Sequence, residues 1–314
     1  VAPNQQSIRR RSEPIFKTVA VVFNYGVGIN NSNADRETYN PATDGNYTLL
    51  DTLSSDHYRF NQLTDQLGAI FSYKEGKTLL TFGAKASQVD FKQVNLYNSS
   101  VSRRDFMNWA PQALFQYQFA QRRSISINYN GGTAQPSIEQ IQPVRINNDP
   151  LNIIIGNPAL KPSFSNNFRL VYRSYAPISK MSLTVSGSYS MKDNAIVHSS
   201  QTDSVGKTIT QYVNLDGYIP YSYSLASNIN FPIPWIDANL EMEAGTTGST
   251  GYSLINHTVE QSNSRYYYMY AQLRKSKEKV YDISWVLFDP SYQINTFSLQ
   301  PRQNNNARGF YSDG

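Results

Sequence analysis

Long stretches of this chain alternate in residue character, and the alternation stops and restarts along the sequence. From Met181 to Lys192, odd positions are apolar or small, whereas even positions hold serine, threonine and one lysine. The same period of two recurs over residues 124–129 and 236–244. Such a period places one residue set on each face of a β-strand. The pattern therefore predicts an all-β protein.

Turn signals divide the alternating runs into roughly twelve strands, with boundaries good to about two to four residues. Several are longer than the usual strand of about five or six residues, and a tilted strand needs about 9–11 residues to cross a membrane. The predicted spans are 15–29, 59–74, 77–94, 108–120, 123–133, 164–175, 180–197, 208–230, 235–250, 263–274, 279–299 and a last strand from about 304.

The connections between these strands alternate between short and long. Short turns are predicted at 74–77, 120–123, 176–179, 231–234 and 274–279, and long segments at 30–58, 95–107, 134–163, 198–207 and 251–262. Short turns on one rim and long loops on the other are typical of outer-membrane barrels. The sequence thus favours an antiparallel up-and-down transmembrane β-barrel.

In this arrangement one face of each strand contacts lipid. The predicted lipid-facing sets contain no charged residue, as expected because lysine or arginine costs about 2–4 kcal/mol at the bilayer midplane. These sets are Val19/Val21/Phe23/Tyr25/Val27, Ala113/Phe115/Tyr117/Phe119, Tyr223/Leu225/Ile229/Phe231, Tyr267/Met269/Ala271/Leu273 and Tyr281/Ile283/Trp285/Leu287.

Composition narrows the function classes. No run approaches the roughly 18 consecutive apolar residues of a transmembrane helix. The 23 Tyr, 15 Phe and 3 Trp suit the aromatic girdles of a barrel, and the absence of cysteine excludes a disulfide scaffold or a cysteine-ligated metal. The net charge of +5 is scattered along the chain and does not indicate a nucleic-acid surface. No cofactor is predicted.

Candidate catalytic chemistry is weak. His57, His198 and His257 lie far apart in or beside predicted outer loops, and no His-x-x-x-His or Gly-x-Ser-x-Gly motif occurs. We therefore predict neither a catalytic group nor a metal site. Four tyrosines between 266 and 270 could stack on a sugar, but we expect them to form an interfacial girdle.

Two sets of charges share strand faces that would point into the lumen. Asp237, Glu241 and Glu243 form one set, and Arg169 and Arg173 form the other. Facing a channel, they could steer a solute or hold a plug through ion pairs; otherwise they only hydrate the interior. The sequence leaves both interpretations open.

Segment 128–172 carries the most specific motif. It contains Asp149-Pro150 followed by Gly156, Asn157, Pro158, Ala159, Leu160, Lys161 and Pro162. This run resembles the TonB-dependent receptors, in particular their outer membrane protein β-barrel branch. The glutamate that usually ends the family motif is replaced by Ser163, and segment 211–217 also resembles a strand of the family. Since glycine frees φ and proline restricts it, the motif is interpreted as a rigid re-entry into the next strand, rather than as a ligand-touching loop.

The resemblance implies a plugged barrel of about 22 strands. Residues 1–314 would form one partial barrel domain of it, and the plug, the N-terminal domains and the TonB box would lie outside this chain. It further implies a non-enzymatic protein of the cell outer membrane that imports a scarce nutrient such as an iron chelate, a vitamin or an oligosaccharide. The partners would be lipid, the plug domain, the TonB complex and the solute. The alternatives are a complete small barrel, acting as porin or enzyme, and a secreted glycan-binding β-sandwich.

Overall fold

A computed structural model of the chain describes residues 5–51, 55–96, 99, 101–141, 145–149, 151–277 and 281–298. Nearly all of this is β-structure. The strands are β1 (Gln5–Phe16), β2 (Val19–Arg36), β3 (Tyr39–Pro41), β4 (Tyr47–Leu50), β5 (Asp56–Glu75), β6 (Thr78–Asn95), β7 (Val101–Ala120), β8 (Arg123–Ala134), β9 (Arg145–Asp149), β10 (Asn152–Ile155), β11 (Ser163–Ala176), β12 (Met181–Asp193), β13 (Ile196–Thr202), β14 (Thr208–Asn214), β15 (Tyr221–Ile233), β16 (Ala238–Ile255), β17 (Thr258–Lys277), β18 (Tyr281–Phe288) and β19 (Ser291–Phe297). The short helix α1 spans Ile138–Ile141, and a 3-10 turn spans Pro234–Ile236.

The long strands build one antiparallel wall in chain order. Each pairs with the next along β1, β2, β5, β6, β7, β8, β11, β12, β15, β16 and β17, and the last place is shared by β18 and β19. This up-and-down antiparallel order confirms the predicted strand arrangement. Within the described ranges no pairing joins β1 to β18 or β19, so the sheet is open.

Strand register brings the predicted apolar sets onto one face. The aromatic side chains of β8, β11, β12 and β15 lie opposite one another in a single row, formed by Tyr129, Phe168, Tyr189 and Tyr223. The predicted alternation is therefore confirmed across the wall. A β-sandwich buries such faces between two packed sheets, whereas here they cover one side of a single large sheet. The β-sandwich alternative is wrong.

Several predicted boundaries are wrong. β1 forms a strand of its own where none was expected, ahead of the short turn at Lys17-Thr18. The predicted long loop at 251–262 is a two-residue turn, with Asn256 and His257 at φ 48° and 69°. Positive φ at both central residues is the geometry that joins twisted strands most tightly.

Three predicted strands are interrupted. The span 180–197 divides after Asp193, where β12 ends, and its last two residues belong to β13. The span 208–230 divides into β14 and β15, because Asp216-Gly217 and Pro220 break the ladder between them. The span 279–299 divides at Asp289-Pro290, where proline lacks the amide hydrogen that a ladder requires. The strand predicted from about residue 304 lies outside the described residues.

Above the long-loop rim, two connections fold into a second β layer. β9 pairs with β10, β10 runs parallel to β14, and β14 forms a hairpin with β13. β13 in turn runs parallel to the outer end of β16 at Leu254-Ile255. The layer thereby joins the connection after β8 to the connection after β12. In the described part of the chain, no helix is both long enough and apolar enough to span a membrane.

Candidate functional site

The Gly156–Pro162 motif docks onto the neighbouring loop. Asn157 is its centre: the side-chain amide donates to the carbonyl of Tyr212 at 2.8 Å, and the backbone N–H donates to the carbonyl of Gln140 at 2.6 Å. Asn157 Oδ1 also accepts from the backbone N–H of Ala159 at 2.9 Å, which closes a local turn before the strand. The asparagine therefore holds three segments together.

Asn214 completes this connection from the opposite side. Its Oδ1 accepts from the backbone N–H of Lys161 at 2.8 Å, and its Nδ2 donates to the carbonyls of Lys161 at 2.9 Å and Asn194 at 3.2 Å. The Asn194 side chain then donates to the carbonyl of Pro162 at 2.8 Å. We name the four residues Asn157, Lys161, Asn194 and Asn214 the outer clasp.

A small apolar core lies within this region. Leu160 is 3% exposed and Leu215 is 4% exposed, and Ala195, Ile153 and Ile141 are also buried. Pro158, Ala159 and Lys161 remain exposed. The two segments singled out in the sequence, 156–162 and 211–217, are thus brought into direct contact, and most of the polar contacts join one loop to the other.

The charges predicted to face the lumen lie on the polar side of the wall. Glu241 Oε1 accepts from Asn230 at 3.1 Å, and Glu241 Oε2 accepts from Gln272 at 2.5 Å. Glu243 Oε1 accepts from the hydroxyl of Tyr268 at 2.9 Å. Across the described residues no lysine or arginine approaches either carboxylate within 4 Å, since nearby Arg274 pairs with Asp282 instead. Neutral donors alone hold these two glutamates.

Asp237 lies apart from the two glutamates. It follows the 3-10 turn with φ 52° and ψ 51°, and its backbone N–H donates to the carbonyl of Pro234 at 3.2 Å. The side chain is exposed at the short-turn rim. The structure thus places Asp237 at the end of the wall rather than on the face of β16.

Arg169 and Arg173 lie on the polar face of β11 and are exposed. Register links Arg173 to Glu243 through two uncharged residues: Arg173 lies opposite Thr184, Thr184 opposite Asn228, and Asn228 opposite Glu243. Three strand spacings of about 4.8 Å separate the two charges by roughly 14 Å. A cationic and an anionic patch therefore face the same side, too far apart to pair with each other.

Tyrosines on β17 were expected to form a girdle, and that expectation is wrong for three of the four. Tyr267 lies on the apolar face, but Tyr266, Tyr268 and Tyr270 alternate onto the polar face, because adjacent strand residues point to opposite sides. The rings of Tyr266 and Tyr268 stack at a centroid distance of 5.7 Å. The sequence signal for this placement was the alternation within β17, because Tyr267, Met269, Ala271 and Leu273 were already predicted to face lipid.

The three histidines stay apart. His57 Nδ1 lies 3.8 Å from Asp35 Oδ1, His198 packs on Tyr212, and His257 contacts Gln201. Within the described ranges no group of three or more histidine, cysteine, aspartate and glutamate side chains could hold a metal ion.

Comparison with known proteins places this geometry in context. The copper transporter OprC matches with a TM-score of 0.58 at 10% identity, covering 93% of this chain and 48% of OprC. The siderophore receptor PirA and the ferric enterobactin receptor PfeA, both of Pseudomonas aeruginosa, match with TM-scores of 0.39 and 0.44 at 10% identity. These matches cover 93% and 94% of this chain, and 66% and 54% of the two receptors. The chain thus spans about half of OprC and of PfeA and just under two thirds of PirA, and no curated protein matches its sequence.

The family model of the outer membrane protein β-barrel family matches residues 12–309. This match covers nearly the whole wall and agrees with the continuous apolar face of the sheet and with the barrel likeness to OprC. The protein is therefore a member of the outer membrane protein β-barrel family, similar to TonB-dependent receptors and located in the cell outer membrane.

Proposed function

We propose that this chain provides the wall, the lumen lining and the outer loops of a TonB-dependent importer for a scarce nutrient. The solute class is an iron chelate, a vitamin or an oligosaccharide, and the full-length protein adds a plug that responds to ligand. Import rather than passive diffusion is the function that the polar face supports best.

The arrangement of charge on that face carries the proposal. Arg173 lies three residues from the short-turn end of β11, and Glu243 lies five residues from the short-turn end of β16. Both patches are therefore close to the periplasmic side, where a plug would fill the barrel. The two patches carry opposite charges about 14 Å apart, or three strand spacings. A folded domain between them can pair with both.

Energy dependence separates import from the porin alternative. Cells producing the complete protein should accumulate a candidate solute, such as a ferric chelate, only while the TonB complex is energised. Uptake that continues unchanged in a strain lacking TonB would contradict the importer and favour a passive channel.

Charge reversal tests the lumen patches. Arg173→Glu and Glu243→Lys should each reduce uptake, because each removes a partner for the plug. The double variant should not recover, since the two residues are too distant to pair. Recovery in the double variant would show that they interact with each other, and wild-type uptake in both single variants would show that neither patch holds a plug.

A further inference from the structure

The outer ends of β6 and β7 carry charges on the membrane-facing side of the wall. Register places Asp90 opposite Asp105, and the next pair on that face is Lys92 opposite Arg103. All four side chains are exposed. Residues directly opposite on one face have Cβ atoms about 4.5–5.5 Å apart, and like charges there repel each other. Two adjacent like-charge pairs thus destabilise this end of the sheet.

The protein does not neutralise these pairs. Among the residues that the structure describes, none of the four side chains forms an ion pair within 4.0 Å or a side-chain hydrogen bond. Each acidic residue also lies diagonally across from a basic one, about 7–8 Å away, which long side chains can span, but the structure shows no contact within 4.0 Å between these opposite charges. All four exposed charges are therefore available to groups outside the protein.

The height of these charges corresponds to lipid headgroups. A tilted strand crosses the hydrocarbon in about 9–11 residues. Counted from the short turn at Gly76-Lys77, β6 reaches the far boundary close to Gln88, immediately before Asp90. On β7, followed from the short-turn end towards the long-loop end, the apolar face ends at Trp109 and Met107, and Asp105 is the next residue on that face. The like-charge pairs thus lie in the outer polar layer of the membrane.

The same region contains a recess. A cavity of about 520 Å³ is lined by Asn61, Leu63, Asp90, Lys92, Arg103 and Asp105, among others. Leu63 on β5 lies opposite Asp90 on β6 and gives the recess an apolar side. The volume and the mixed lining suit a charged group attached to a hydrocarbon chain.

We propose that this recess binds the phosphate-bearing headgroup of an outer-leaflet lipid together with its divalent counter-cation. Lys92 and Arg103 hold phosphate oxygens, for which the planar fork of arginine is well shaped. Asp90 and Asp105 face the cation that bridges such phosphates. These four side chains sum to zero charge, and Arg104, which also lines the recess, leaves it with one excess positive charge. A ligand that carries anionic groups together with a cation matches this lining. This inference depends on the outer-membrane location alone and stands apart from the importer proposal.

Native mass spectrometry of the complete protein in mild detergent tests the site. Diphosphoryl lipid A with Mg²⁺ should remain bound, whereas phosphatidylcholine should be lost. The double variant Lys92→Gln/Arg103→Gln should retain lipid A at least about tenfold more weakly, as expected when roughly 1.4 kcal/mol of binding free energy is removed. In Asp90→Asn/Asp105→Asn, retention should no longer require Mg²⁺.

A charge-matched control is available at the opposite rim. Lys74→Gln/Arg123→Gln also removes two exposed cations, but from the short-turn end, and should leave lipid A retention unchanged. If Lys92→Gln/Arg103→Gln retained lipid A as well as the wild type does, the proposed site would be wrong. Displacement of lipid A by equimolar inorganic phosphate would overturn the lipid assignment, because the recess would then recognise phosphate alone. If phosphatidylcholine were retained as well as lipid A, the recess would not recognise its ligand by charge.

Discussion

The phenolic ring of Tyr268 lies directly over Gly245 on the polar face of the wall. A Cβ at Gly245 would come within 2.5 Å of Tyr268 Oη and within 2.7 Å of two ring carbons. The bare backbone lets the ring lie flat, which brings the hydroxyl to 2.9 Å from Glu243 Oε1. A missing side chain on β16 therefore positions the donor for the neighbouring carboxylate.

Gly245→Ala should displace the Tyr268 ring and break its bond to Glu243. We expect the free energy of unfolding to fall by about 1–3 kcal/mol, the usual cost of overpacking. Urea unfolding of the protein in detergent micelles measures this free energy. Gly132→Ala is the matched control, because an added Cβ there meets nothing within 4 Å; it should change stability by less than about 0.5 kcal/mol. Equal effects of the two variants would contradict the role given to Gly245.

Asn214→Asp should weaken the outer clasp. The carboxylate cannot donate to the carbonyls of Lys161 and Asn194, and a typical hydrogen bond contributes about 0.5–1.5 kcal/mol to stability. Limited proteolysis should then cut residues 156–162 and 194–215 faster than in the wild type. Asn40→Ala, on the exposed strand β3, serves as control and should leave that pattern unchanged. Unaltered cleavage in Asn214→Asp would show that the clasp does not hold the two loops.

The stability of the hairpin formed by β3 and β4 should depend on pH through the carboxyl group of Asp44. The side-chain amide of Asn46, and then its backbone N–H, hydrogen bond to the carboxylate and hold the pKa of Asp44 below its ordinary value of 3.8. A lowered folded-state pKa stabilises the hairpin above the ordinary value, and this stabilisation is lost as the pH falls through the folded-state pKa.

Carbon-13 NMR of the Asp44 carboxyl measures this pKa directly. The midpoint should lie below 3.8 in the wild type and rise towards that value in Asn46→Ala. Thr43→Ala changes a neighbour outside these hydrogen bonds and should not shift it. An unshifted midpoint in Asn46→Ala would contradict the assigned cause.

Tryptophan fluorescence should separate the two faces of the wall. Trp109 and Trp285 are 51% and 48% exposed on the apolar face. Variants retaining only one of them should be quenched by brominated lipid, since the indole contacts acyl chains. A lone tryptophan introduced by Ser188→Trp, on the polar face, is the control and should escape quenching. If brominated lipid quenched the tryptophan at position 188, or failed to quench Trp109, the assignment of the lipid-facing side would be wrong.

The sequence predicted the wall well because the period of two is a local signal. The row of Tyr129, Phe168, Tyr189 and Tyr223 follows from alternation within each strand together with short turns between neighbours. β1 was missed because its arginines conceal any alternation. The turn at Asn256-His257 was missed because it contains no glycine.

Long-range contacts could not be predicted in the same way. The hydrogen bonds between Lys161 and Asn214 join residues 53 apart, and no local pattern pairs them. The motif and segment 211–217 were both visible in the sequence, but their contact with each other was not. Likewise, the charges on β11 and β16 could be assigned to a strand face, whereas the row that aligns Arg173 with Glu243 depends on the register of four strands.

The parallel pairing of β10 with β14 also constrains how the molecule is assembled. These strands belong to connections separated by a complete wall hairpin, β11 and β12. We expect them to meet once both connections have reached the cell surface. Non-local parallel pairing is intrinsically slow to form. Protease resistance of this layer should therefore report the end of membrane insertion, and a stalled insertion should leave both connections open to cleavage together.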